Sequence, residues 1–95
     1  VVPEPRPVVV PGPDGLAVEV DDRGSFTTPP ARFGIGERPE RTSPVSAWAG
    51  PWPVSERWWD TAARSLQRVQ LVDETGRAWL LVLVAHRWWA EAVYD

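Results

Sequence analysis

Two triplets dominate the chemistry this chain can offer: Arg57-Trp58-Trp59, followed by Asp60, and Arg87-Trp88-Trp89, preceded by His86. Indole and guanidinium groups together suit recognition more than bond-making. Tryptophan supplies a large rigid apolar face with one N–H donor, and arginine stacks on such faces while presenting a planar fork of donors. These two residue types lead the energetic hot spots of protein interfaces. Neighbouring side chains on a strand point to opposite faces, so one tryptophan of each pair enters a core and the other stays near the surface. On the closing segment the small Ala90 and Ala92 suit a crowded interior, which places Trp88 and Tyr94 inward and Trp89 outward with Glu91 and Val93. The candidate protein-binding residues are therefore Arg57, Trp59, Arg87 and Trp89. The competing reading is structural: both indoles of each pair fill or cap a core, with Arg57 paired to Asp60 or Glu56.

Catalytic chemistry finds less support. His86 is the only histidine and sits in an expected turn. Ser65, His86 and Asp60 have the residue types of a nucleophilic relay, but no nucleophile-elbow motif accompanies them. A metal site needs several convergent ligands, and one histidine without any cysteine is a poor start. Asp21-Asp22 and Asp73-Glu74 read as solvated turn formers. Gly34-Ile35-Gly36 lacks the third glycine and the following helix of a phosphate loop. No enzymatic activity, cofactor or metal is expected. Single-stranded nucleic acid is the main non-protein alternative, because bases stack on aromatic rings beside arginine. The net charge of −3 counts against it, as do Glu56, Asp60, Glu91 and Asp95 beside the aromatics.

The elements that must hold these residues are short. Ninety-five residues support one domain with one core. Five of the first thirteen residues are proline, so residues 1–7 read as the end of a proline-rich linker and residues 8–95 as a single domain. Residues 8–10 suit a short edge strand, where proline is tolerated. Asp14-Gly15 signals a tight turn, residues 16–20 alternate as a strand, residues 21–24 turn again, and residues 25–28 suit a third strand. Residues 31–35 resume extended structure and 36–44 read as a loop. Residues 45–49 form a strand ending at Gly50-Pro51, and residues 61–65 allow at most one helical turn. From Leu66 the pattern is a meander: Val69 and Leu71 alternate with Arg68 and Gln70, residues 73–76 turn, residues 78–84 form an apolar central strand, and residues 88–94 close the sheet. The fold class is all-β, a small antiparallel meander curled into a partly open barrel or roll. No run is long enough to span a bilayer and no signal peptide opens the chain, so a soluble cytoplasmic protein is the expectation.

The run WAGPWPVSERWWD at 48–60, the ending GRAWLLVLVAHRWWAEAVYD at 76–95 and PPARF at 29–33 resemble the C-terminal portion of the ImuB-type proteins. These are catalytically inactive Y-family polymerase homologues of the bacterial inducible mutagenesis cassette. The resemblance covers residues 16–95. It implies a non-catalytic protein-interaction domain of a translesion-synthesis scaffold, acting in DNA repair under the SOS response to DNA damage. The implied partners are a RecA-like accessory protein, a DnaE-type error-prone polymerase, or both. Single-stranded DNA binding and a structural cap on a preceding polymerase-like domain are the alternatives.

Overall fold

The computed structural model describes residues 4–38, 40–54 and 66–94. Within them, six strands run in chain order: β1 Arg6–Val9, β2 Arg32–Ile35, β3 Ser43–Val54, β4 Leu66–Asp73, β5 Ala78–Val84 and β6 Arg87–Tyr94. Each pairs antiparallel with the next, and β6 pairs back on β1, which closes a small all-β barrel. No helix occurs among the described residues. The helical turn allowed at residues 61–65 falls outside them.

β1 begins at Arg6, within the stretch read as linker, and it is not an edge. Val8 faces Ile35 of β2 on one side and Trp88 of β6 on the other. Pro7 fits because its missing N–H is not called upon, while its carbonyl accepts from the Gly36 N–H at 2.8 Å. The chain then doubles back twice, at Gly15 and at Gly24, both at positive φ (84° and 80°). The strands expected at 16–20 and 25–28 shrink here to two isolated bridges, Pro11 with Ala17 and Val20 with Phe26. Prolines 11, 13, 29 and 30 remove the donors that a longer ladder would need.

β4 and β5 form the heart of the barrel, as their alternation predicts. Leu71 and Leu81 are fully buried and pack with Val69, Leu83, Phe33 and Trp88. Burial of each such leucine stabilises by about 2–3 kcal/mol. The turn between the two strands is organised by one carboxylate. Asp73 Oδ1 accepts from the N–H groups of Thr75 and Arg77 and from the Thr75 hydroxyl, while Oδ2 accepts from Trp79 Nε1 at 2.9 Å. Gly76 ends that turn at φ 89°.

Two strands depart from the simple alternation. β3 does not stop at Gly50-Pro51 but continues to Val54, with register shifts between Val45 and Ala47 and between Ala49 and Trp52. The second shift puts Trp48 opposite the core residue Leu71 and Trp52 opposite the outward Arg68. Gly50 sits at φ 109°, and a Cβ there would lie 3.0 Å from the Arg68 carbonyl oxygen, so the shift needs glycine. In β6 one extra residue, Glu91, is accommodated where adjacent Leu80 and Leu81 face Ala92 and Ala90. The alternation reverses across this bulge. Val93 therefore faces Trp79, and Tyr94 faces Ala78 and is 55% exposed. The sequence placed Tyr94 inward and Val93 outward; both are the other way round.

Candidate protein-binding face

The Arg87-Trp88-Trp89 triplet divides as strand geometry requires. Trp88 is 5% exposed and belongs to the core, where its Nε1 donates to the Val18 carbonyl at 2.8 Å. This bond ties β6 to the double-hairpin segment seventy residues earlier in the chain. Trp89 is half-buried and stands outside the core cluster. The Arg87 guanidinium carbon lies 5.7 Å from the Trp89 ring centroid, and its Nη2 donates to Glu37 Oε1 at 2.8 Å. Of the four residues singled out from the sequence, the fold brings Arg87 and Trp89 together. Arg57 and Trp59, with Trp58 and Asp60, lie outside the described residues.

Sheet register extends the face sideways from Trp89. Opposite it stands Val82 of β5, opposite Val82 stands Arg68 of β4, and opposite Arg68 stands Trp52 of β3. Facing residues of paired strands share one side of the sheet, so Trp52, Arg68, Val82 and Trp89 form a row across four strands. Trp52 is 47% exposed, whereas Val82, though outward, is only 6% exposed. The next row along the strands is Ala49, Gln70, Leu80 and Ala92. Two aromatic side chains thus flank Arg68 and Val82, and the neighbouring row adds Ala49, Leu80 and Ala92 beside one polar residue, Gln70.

The charges on this face are matched internally. Arg68 Nε donates to Glu91 Oε2 at 3.1 Å and Nη2 to Oε1 at 3.4 Å, a two-point contact with the carboxylate that shares the outer side of β6 with Trp89. Arg87 is held by Glu37. Both guanidiniums sit beside carboxylates, so they offer stacking planes and hydrogen-bond donors without a concentrated positive field.

The sequence puts Glu91 on the Trp89 side of the closing strand but does not single out Trp52 or Arg68 for this face. Arg68 alternates with Val69 as expected, but Trp52 reaches the face only through the register shift between Ala49 and Trp52, which no periodicity reveals.

The residues considered for catalysis are engaged otherwise. His86 occupies the two-residue turn between β5 and β6 and its Nδ1 contacts Glu19 Oε1. Asp21 Oδ1 accepts from the N–H groups of Arg23 and Ser25 and holds its own turn. Ser65 and Asp60 lie outside the described residues. Among the described residues no cluster of three histidine, cysteine or acidic side chains is arranged to hold a metal ion. No helix among them is long and apolar enough to cross a membrane. Comparison with protein-family models, curated proteins and solved structures finds no match to this chain.

Proposed function

We propose that this chain is a non-catalytic protein-interaction module that binds its partner through the outer face of β3–β6. The observation that carries this reading is the row Trp52–Arg68–Val82–Trp89, extended by Arg87 against Trp89. Exposed indoles next to guanidiniums, on a rigid sheet and surrounded by apolar neighbours, have the composition of an interface hot spot. Internally matched charges favour a protein over a polyanion. Following the resemblance to the ImuB-type proteins, the module belongs to a cytoplasmic translesion-synthesis scaffold. Its partner is then a RecA-like accessory protein or a DnaE-type error-prone polymerase.

Co-purification of the domain with each of these two proteins tests the reading. The paired substitution Arg87→Ala, Trp89→Ala should leave the fold intact and weaken capture by about 2 kcal/mol or more. Capture unaffected by this pair and by Trp52→Ala would overturn the assignment of the face. Salt-sensitive retention on single-stranded DNA, lost in the same variants, would replace the protein partner with a nucleic acid.

A further inference from the structure

The barrel has a narrow seam between β2 and β3. Only two residue pairs join these strands, Arg32 with Pro44 and Phe33 with Ser43, although β3 runs on to Val54. The Val45 N–H still reaches the Ala31 carbonyl at 2.9 Å. Beyond it, among the described residues, no strand pairs with β3 on this side. A groove of about 380 Å³ opens there, between β3 and the returning hairpin. Its walls are Phe26, Pro29, Trp48 and Pro51, and Gly24 and Ser25 line it too. Trp48 meets the Phe26 ring edge-on, with centroids 5.1 Å apart and planes at 81°. Although it faces core Leu71 across the ladder, Trp48 remains 42% exposed, because the seam leaves it uncovered.

We propose that this groove binds an extended, proline-bearing peptide segment with a cationic residue at one end. This site lies apart from the Trp52–Trp89 face and does not depend on the function proposed for it. Three features select the occupant. First, a partner strand is a poor fit, since Pro44, Pro51 and Pro53 interrupt the donors of β3 that a continuous ladder would use. A polyproline II segment needs no ladder, loses little entropy on binding, and packs its rings against aromatic walls. Second, the walls are aromatic rings and proline rings, with the Ser25 hydroxyl and the Trp48 indole N–H the polar side-chain groups among the lining residues. Third, the hairpin tip that leads into Gly24 and Ser25 carries Asp21 and Asp22 against Arg23 alone. Asp21 Oδ1 accepts from the Ser25 N–H at 3.0 Å, so a fixed carboxylate stands next to the residue that lines this end of the groove. That charge complements arginine or lysine and repels phosphate.

Three fluorescein-labelled ten-residue peptides test this by anisotropy on the intact 95-residue chain. One alternates proline and alanine and ends in two arginines. The second ends in two aspartates instead, and the third carries glycine for every proline. The arginine-tailed proline peptide should bind saturably, and the other two at least ~10-fold more weakly. Trp48→Ala should weaken the first peptide by ~10-fold or more, while Trp52→Ala, on the other face, leaves it unchanged. Asp22→Asn should remove most of the preference for the arginine tail. If Trp48→Ala fails to fold by circular dichroism, Pro29→Ser serves as the second probe of the same wall. Absence of saturable binding by the arginine-tailed peptide overturns the proposal. So does equal binding of the glycine version, or binding that is lost with Trp52→Ala and kept with Trp48→Ala and Pro29→Ser. Capture of a protein partner through Arg87 and Trp89 is untouched by any of these failures, which keeps the two sites experimentally separate.

Discussion

Trp88 and Trp89 are neighbours in sequence and opposites in environment, and their alanine variants should differ by several kcal/mol in stability. A tryptophan removed from water buries ~150–250 Å², worth about 4–6 kcal/mol at 25 cal/mol per Å². A compact unfolded chain already hides part of that surface, which lowers the figure to about 3–5 kcal/mol, the range seen for large-to-small core substitutions. Trp88 is 5% exposed, so Trp88→Ala should incur the whole of it. The same substitution strands the Val18 carbonyl, which accepts from Trp88 Nε1. Trp88→Phe isolates that contribution: it keeps most of the ring and leaves one buried acceptor unpaired, a loss of ~1–3 kcal/mol. Trp89 is half-buried on an open face, where truncation leaves no enclosed cavity, so Trp89→Ala should cost no more than about 1–2 kcal/mol. A domain of this size has ~5–14 kcal/mol in total. Urea unfolding followed by far-ultraviolet circular dichroism would rank the three variants without depending on tryptophan emission. The expected order of loss is Trp88→Ala, then Trp88→Phe, then Trp89→Ala. Equal midpoints for the two alanine variants, or a greater loss for Trp89→Ala, would refute the assignment of inner and outer faces.

Three further outcomes follow from local geometry. A Cβ on Gly34 would run into the Arg41 carbonyl oxygen, a backbone atom that cannot swing aside, so Gly34→Ala should destabilise by ~1–3 kcal/mol; unchanged thermal melting would show that the 36–42 loop gives way instead. Burial pushes the Asp73 carboxyl upward, but hydrogen bonds from Thr75, Trp79 and two backbone N–H groups outweigh it and hold its pKa below 3.8. The carboxylate's contribution is thus complete above about pH 4 and fades as pH falls through the lowered folded value. Asp73→Asn should therefore be less stable than the parent at pH 7 and converge with it as pH falls through the lowered folded value, and a constant gap in acid unfolding curves would contradict this. Ala85 and His86 both adopt positive φ (50° and 68°), the backbone of a two-residue hairpin turn that favours Asn-Gly. Ala85→Asn with His86→Gly should raise stability by about 1 kcal/mol or more, since the exposed His86–Glu19 contact contributes little; a lower melting temperature would count against that balance.

The parts of the fold legible in the sequence are those governed by period and turn chemistry. Val69, Leu71, Leu81 and Leu83 lie where strict alternation and an unbroken apolar run put them. Asp14-Gly15, residues 21–24 and residues 73–76 turn where Asp and Gly supply side-chain acceptors and positive φ. Trp88 inward and Trp89 outward follow from the pleat alone. Failures come where one inserted residue resets the alternation. Tyr94 was counted from Trp88 across Glu91, and the bulge there turns every later side chain over. β3 was ended at Gly50-Pro51 because proline and glycine are ordinary strand breakers, yet the ladder resumes at Trp52. The proline-rich start concealed a strand, since composition does not reveal that Pro7 would be asked only for its carbonyl. Barrel closure itself is a long-range property: Val8 meets Trp88 only after eighty residues of intervening chain.

These same irregularities decide which aromatic surface the molecule can present. Trp48 and Trp52 are four residues apart, and uninterrupted pleating would put them on one side of β3. The shift at Gly50 sends one toward the seam against Phe26 and the other to the outer row beside Arg68. On β6, Glu91 shares the outer side with Trp89 and makes two hydrogen bonds with Arg68, which neutralises the middle of the outer face. A regular meander of this composition would group Trp48 and Trp52 on a single side. The bulged one separates them onto two aromatic surfaces of different character. One is a nearly flat strip with matched charges, and the other is a narrow aromatic groove with an acidic end. The strip is carried entirely on paired strands of the barrel wall, whereas the groove has one wall on β3 and the other on the hairpin segment at residues 24–29. Binding energy at the strip is then not spent on ordering the site.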